Sequence, residues 1–554
     1  MRRMRICGAS VSLIENAVMP ELSKPLLDGA RFALRGLPLC LALLGACQSS
    51  WAAPSTLRFC AAGSPKSFDP ANSDSGVDHI ATLPIYSGLV DNDLATDRII
   101  PSLAESWRIS ADGRSYRFKL RHGVKFHSTP WFKPTRDFNA DDVLYTFNRL
   151  LDPKSPMQKA YPTISPYVPS LGWEKLIRSV ERVADDEVLI QLNAVDATFL
   201  GTLGFAFAGI QSAEYGAQLL RQGKPQQLAT QPVGTGPFVF KSFQPDSVIR
   251  YTRNPAYFVP NQAGVDNLVY AITVDRNVRT QRLKRNECDI APITGSVDLA
   301  ELQGDPNITV QSAPGMNIGF LAFNLKKPPL DQLAVRQALD MAIDKAAIIK
   351  TVFGPGGVVA DSPIPMINWA HDASLKPPVY SPEKAKALLQ SAGVKNLELS
   401  LWAMPVQRFY NPNAQLMAQM IQADWAKVGV KARIMTFEWG EYLKRVDAGE
   451  HDTALLGWNG EVEPASSAGQ LACGAASASF FCDKDYDATI TAAKQTLDEA
   501  QRKKLYAKAQ QIAMKQLPWS PIANGAMSVA MRKNVVGFRL GVDGTIRFDG
   551  VSLR

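Results

Sequence analysis

Hydrophobic and polar residues change rhythm along this chain, and the rhythm predicts its elements. "STLRFCAAG", from Ser55, reads as a strand that ends in a glycine turn. "RSYRFKLRHGVKFH" (114–127) alternates polar and apolar and breaks at Gly123, which predicts a hairpin. "NADDVLYTFNRLLDP" changes to helical spacing. Asn139 stands as an N-cap with Asp142 three residues on, and Val143, Phe147 and Leu150 fall on one face. A strand and then a helix follow in "DDEVLIQLNAVDATFLGTL", and two strands follow the Gly/Pro loop "PVGTGP". "LVYAITVDRNVRTQRLKRNECDIAP" predicts a strand, a helix ending near Asn286 and a return strand.

"MNIGFLAFNL" (316–325) predicts a crossing segment, after which helices and strands alternate. "DQLAVRQALDMAIDKAAIIKTVF" predicts one long helical region stopped by "GPGG". "SPEKAKALLQSAG" predicts a helix with Ser381 as N-cap, Pro382 in the first turn and Gly393 past its end. "NAQLMAQMIQADWAKVGV" predicts a helix with Leu416, Met420, Ile421 and Trp425 on its apolar face. "LELSLWAM" and "KARIMTFEW" read as strands, "DEAQRKKLYAKAQQIAMKQ" as a late helix, and "NVVGFRLGVDGTIRFDGVSL" as a closing strand region.

Composition changes the picture in three ways. With 554 residues, 46% hydrophobic, the chain is too long for one core and predicts two or more lobes. The amino end reads as a secretory leader over residues 1–52: Arg31 and Arg35, the apolar run "LPLCLALLGA", then small residues before Ala53. That run is too short to span a bilayer. "LGAC" offers a second processing route, with Cys47 as a lipidated first residue, and Met19 competes with Met1 as the start. Basic residues are scattered and the net charge of +8 is mild for this length, so no nucleic-acid footprint appears.

Four cysteines follow the leader. An even number in an exported chain suggests two disulfides. Cys473 and Cys482 are close enough for a local bridge, which leaves Cys60 with Cys288. Zinc competes for four cysteines, but no Cys-x-x-Cys pair occurs and no metal site is expected.

Catalytic motifs are few. There is no Gly-x-Ser-x-Gly elbow, no Gly-x-Gly-x-x-Gly fingerprint and no phosphate loop with its lysine. His122 and His127 stand on the expected hairpin, where such residues face solvent. The loop "WNGEVEPASSAG" carries Glu461 and Glu463, which raises a hydrolase reading with one as acid and one as base. Glycosidase carboxylates stand about 5–9.5 Å apart across the substrate. Two glutamates in one short loop seldom face each other that way, so binding is favoured over catalysis and no cofactor is expected.

"PSLAESWRISADGRSYRFKLRHGVKFH", "FNADDVLYTFNRLLDP", "PVGTGPF", "VRQALDMAIDKAAII" and "LWAMPVQRFYNPNAQLMAQMIQADWAKVGVKARIMTFEWGEYLKR" together resemble the solute-binding proteins of bacterial peptide ABC transporters, from about Thr56 to the end. The order and spacing of these stretches carry the resemblance more than any one of them. It implies an α/β, two-lobed Venus-flytrap fold with an extra subdomain in lobe I. Lobe I would take residues 53–317 and 530–554, and lobe II residues 318–529. It also implies a periplasmic monomer that closes on a small peptide and presents it to an inner-membrane permease. The disulfides it implies are the two pairs argued above from spacing.

A free peptide is a zwitterion, so enclosing it leaves a carboxylate and an ammonium that each need opposite charge or several hydrogen bonds. The resemblance implies that Arg408 grips the carboxylate, which a guanidinium fork can do with two parallel bonds. Tyr410 matches a site tyrosine and Trp458 flanks the same region. The aspartate that grips the ammonium in the family is replaced by Glu461, longer by one methylene, or roughly 1.5 Å. The Asp, Asn and Phe that follow in the family are absent from "VEPASSAG". Asp74 falls where the family's first loop meets the ligand and is a second acid for the ammonium. The altered loop keeps open a changed ligand in the same fold: haem, a metal chelate, an opine-like compound or an antimicrobial peptide. Glu463, held extended by Pro464, is expected outside the ligand's reach.

Overall fold

The computed structural model describes residues 54–554, apart from Asp74, Ala95, Asp97, residues 163–166, 261–263, 294–295, Pro378, residues 461–462, Ala476 and Val542. The leader, Cys47, Asp74 and Glu461 therefore lie outside the described residues.

Three main sheets organise the chain. The largest has seven strands in the order Ile308–Pro314, Ala526–Arg532, Ile290–Ile293, Thr56–Ala61, Asn267–Ile272, Val248–Arg253 and Phe238–Gln244. Thr56–Ala61 lies near its centre because Leu57, Phe59 and Cys60 need cover, and it runs parallel to Asn267–Ile272. Phe59, Tyr251, Tyr270 and Phe548 fill one core against this sheet. Cys60 is bonded to Cys288 with the Cα atoms 5.8 Å apart. Cys473 is bonded to Cys482 at 4.4 Å.

A six-stranded sheet follows the order Val358–Val359, Trp519–Asn524, Asn317–Phe323, Thr453–Asn459, Glu398–Trp402, Lys431–Met435. Every residue of Asn317–Phe323 is buried, as a strand with neighbours on both sides and helices on its faces requires. The chain passes between the two sheets twice, at residues 315–316 and at Gly525. Asn317 ties the passages together: its Nδ2 donates to the Gly525 carbonyl (2.9 Å) and its Oδ1 accepts from the Gly525 N–H (2.8 Å).

The third sheet has four antiparallel strands, Ala104–Ile109, Ser115–Leu120, Glu187–Leu192 and Ile177–Ala184, with its own core around Tyr116, Phe118, Phe147 and Trp173. Here the expected hairpin over 114–127 is corrected. Ser115–Leu120 pairs with Ala104–Ile109 and Glu187–Leu192, and no strand follows Gly123. Val124 and Phe126 are instead drawn into the core. His127 is corrected with them. It is buried, its Nε2–H donates to the Gly236 carbonyl (2.9 Å), and burial pushes its pKa down to about 4. His122 is exposed and pairs with Asp186.

Local punctuation is as expected at several helices. Ala140–Leu151 starts with a reciprocal capping box between Asn139 and Asp142. Pro382–Ser391 follows Ser381, whose side chain makes no cap bond, and Gly393 takes positive φ past its end. Two expectations shift. The region after Leu333 breaks after Met341 and restarts at Lys345, where Asp344 caps the Ala347 N–H. In Ala414–Lys427 the buried face is Met417, Ala418, Ile421 and Trp425, with Leu416 and Met420 at its margin.

Candidate functional site

Strand Glu398–Trp402 runs into the segment that carries Arg408 and Tyr410. Arg408 and Asn411 exchange backbone hydrogen bonds, each 3.0 Å, which closes a tight turn over residues 408–411. Three glycines let this turn lie directly on the strands and the passage below it. A Cβ on Gly319 would stand 2.1 Å from the Tyr410 carbonyl oxygen, one on Gly457 2.2 Å from the Tyr410 ring, and one on Gly525 2.0 Å from the Phe409 carbonyl oxygen. The turn is therefore set by backbone approach, and Phe409 is the residue it presents to open space.

Tyr410 is buried, and burial raises its pKa although the Arg408 charge opposes the rise. The half-buried Arg408 guanidinium donates to the Gln407 carbonyl and lies 5.8 Å from the Trp439 ring centroid. It makes no ion pair among the described residues. Trp402 is core, 2% exposed.

The neighbouring strand Thr453–Asn459 brings Trp458 opposite Ile318 and Asn459 opposite Asn317. Trp458 is 38% exposed, and its Nε1–H donates to Ser466 Oγ at 3.3 Å. Gly460 continues the pairing through its N–H to the Met316 carbonyl (2.6 Å). Glu463 is not a solvated loop charge. Its carboxylate caps the Ala465 N–H (3.2 Å), pairs with Arg502 (2.5 Å) and accepts from the Tyr506 hydroxyl (3.3 Å). Burial alone would lower the Arg502 pKa, but the Glu463 charge and hydrogen bond outweigh it and hold the guanidinium above its ordinary value. A carboxylate held in this way is poorly placed to serve as an acid or base.

Phe409, Asn459 and Gly460 line one side of a cleft of about 380 Å³. Gly76, two residues after Asp74, and His79 line it too. Phe409, Asn459, Gly460, Gly76 and His79 thus meet at one opening. Arg408, Tyr410 and Trp458 themselves are not among the lining residues.

Several lining residues were not singled out from the sequence: Phe205, Met527, Asp543, Thr545, Asp91 and Arg547. Arg547 joins Asp91 (2.7 Å) and Asp549 (2.5 Å) and is held far above its usual pKa by the two carboxylates despite burial. Asp91 and Arg547 are 456 positions apart. No local signal marks such a pair. The only hint was the "GTIRFDG" segment near the carboxyl end, where a charged pair interrupts an apolar run.

Comparison with known proteins places this geometry. The family described as "Bacterial extracellular solute-binding proteins, family 5 Middle" matches residues 98–480. The chain is 45% identical over 549 residues to "Di/tripeptide-binding protein 1" of Pseudomonas aeruginosa (strain UCBPP-PA14), covering 98% of this chain and 99% of that protein. It is 39% identical to "Heme-binding protein A" of Haemophilus influenzae, covering 91% and 92%. Among solved structures, the dipeptide-binding protein from Pseudoalteromonas sp. SM9913 in complex with Met-Leu superposes with a TM-score of 0.80 at 36% identity, over 90% of this chain and all of that one. The mixed α/β fold is that of periplasmic binding proteins.

Proposed function

The chain belongs to the bacterial extracellular solute-binding proteins of family 5, and from that premise we propose that it is the periplasmic substrate-binding component of a peptide ABC transporter. It captures di- and tripeptides between two lobes, one built on the seven-stranded sheet, to which Ala526–Arg532 belongs, and one on the six-stranded sheet, so that the expected boundary at residues 529–530 moves to Gly525, and delivers them unchanged, as a monomer, to the inner-membrane permease. Residues 1–52 direct export. Among the described residues no helix is long and apolar enough to cross a membrane.

The observation that carries this reading is the convergence of Phe409, Asn459–Gly460 and Gly76–His79 on one cleft of about 380 Å³, a size suited to a ligand of a few residues. In the proposal Arg408, which makes no ion pair among the described residues, turns from the Gln407 carbonyl to receive the ligand carboxylate. Glu461 holds the ammonium, with Asp74 sharing it. Tyr410 and Trp458 support the two gripping segments. Ordered water in the remaining space accommodates varied side chains.

Mass spectrometry of ligand released by denaturing the purified protein tests the class, and short peptides are expected. Calorimetry tests the residues. Arg408→Ala should weaken free-carboxylate peptides by about two to four decades, since unpairing an enclosed charge costs about 3–5 kcal/mol. Glu461→Gln should weaken peptides with a free amino terminus and spare acetylated ones. Equal binding of acid and amide peptides by the wild type would remove Arg408 from its role. The 39% identity to a heme-binding protein favours one second reading, haem in the same cleft; the released ligand, by mass and visible absorbance, separates the two.

A further inference from the structure

Arg547 borders more than the cleft. Asp91, Asn92, Asp93, Leu94 and Arg547 also line a second space of about 480 Å³ on their other side. The two spaces share this edge. The charge of Arg547 is already met by Asp91 and Asp549. Beyond it the second space holds two further guanidiniums, Arg121 and Arg539, and neither makes an ion pair among the described residues. Arg121 is held in place: its Nε–H donates to the Ser102 carbonyl (2.6 Å) and its guanidinium lies 5.7 Å from the Phe258 ring centroid. Tyr257 and Phe258, in ring contact at 4.7 Å, form the apolar wall beside it.

A solvated arginine on a rim is ordinary. Asp93 lines the same space, with its carboxylate taken up by the N–H and hydroxyl of Thr96. A fixed arginine over an aromatic wall, with a second beside the same cavity and neither in an ion pair among the described residues, is still a preformed place for a negative group. We propose that the compartment beyond Arg547 takes a carboxylate-bearing side chain of a peptide held in the cleft, so that Arg121 and Arg539 select acidic peptides at one position. The proposal rests on the peptide reading above.

Titration calorimetry with Ala-Ala-Ala, and with tripeptides carrying Glu or its neutral isostere Gln at each position in turn, tests it. At one position the wild type should bind the Glu peptide about five- to tenfold tighter than the Gln peptide, as for a partly screened charge pair. Arg539 is exposed, so Arg539→Gln keeps the fold and should by itself reduce the ratio. The double variant Arg121→Gln/Arg539→Gln should bring it to about one while Ala-Ala-Ala binds as before. Equal binding of Glu and Gln peptides at every position, or a ratio that survives in the double variant, overturns the assignment. If no peptide binds the wild type, the peptide reading itself fails and this assignment falls with it.

Discussion

The two sides of the cleft are built differently. On one side, Phe409, Asn459 and Gly460 are placed by strands and a passage of the six-stranded sheet, with Gly319, Gly457 and Gly525 allowing the 408–411 turn to rest on backbone. No charged side chain described on that side lines the space. On the other side, a charged pair ties Arg547, near the carboxyl end, to Asp91 of the short strand Val90–Asn92. Backbone placement depends on volume and is indifferent to salt. Charge placement depends on both partners and on ionic strength. A ligand therefore meets one wall that is rigid by close packing and another that responds to its solution.

The largest expected effect removes the contrast, because acid attacks both regions. His127 in the four-stranded region and His451 in the six-stranded region are both buried, each with its Nε2–H on a carbonyl, and burial pushes each down to about 4 from 6.5. The unfolded chain takes up protons below pH 6.5 while the folded chain does not until about pH 4. Stability is therefore intact above about pH 6.5 and is lost as pH falls through that window, by up to about 3 kcal/mol for each histidine. Urea midpoints measured across pH 7.5 to 4 should fall accordingly, and a flat profile would contradict the burial. The two walls are best compared above pH 6.5.

Gly319→Ala breaks the packed wall. Its Cβ meets a carbonyl oxygen at 2.1 Å, which no rotamer change relieves, and the expected cost is about 3 kcal/mol with loss of ligand binding. Urea unfolding at two salt concentrations should give the same loss at both. Arg547→Met breaks the charged wall and leaves two partly buried carboxylates unpaired. The expected cost is about 2 kcal/mol, and it should shrink in high salt, because the wild type itself loses some of the pair's contribution there. A loss of only a few tenths of a kcal/mol would mean that the pair does not hold this wall.

The smallest effect sharpens the comparison at the loop between the sheet and its helices. Glu463→Gln keeps an oxygen for the Ala465 N–H but loses the charge facing Arg502. About 1–2 kcal/mol of stability should go, with peptide affinity unchanged. A large affinity loss with normal stability would instead put Glu463 at the ligand.

Helix beginnings were legible because their chemistry is local. Asn139 and Asp142 lie one turn apart, and Pro382 and Gly393 act on their own φ angles, so no distant residue is needed to read them. The segment carrying Arg408 and the strand leading to Glu461 were legible for a different reason: their residues stand in a family order that the comparisons support. The partner of Ser115–Leu120 was not legible, since the alternating pattern fits either neighbour and the choice lies in the core that Val124 and Phe126 complete. The true buried face of Ala414–Lys427 was missed by part of a turn, because Met417 and Met420 are equally apolar and only the packed sheet distinguishes them. Glu463 looked like a loop charge until Arg502, 39 positions away, was brought against it. The sequence by itself determined the family, the starts of helices such as Ala140–Leu151 and the local Cys473–Cys482 bridge, all set by local geometry or a linear order of residues, and it left Cys60 with Cys288 by elimination. Only the tertiary structure decided which side chains border the cleft, because Phe409, Asp91 and Arg547 acquire that role through contacts between segments hundreds of residues apart.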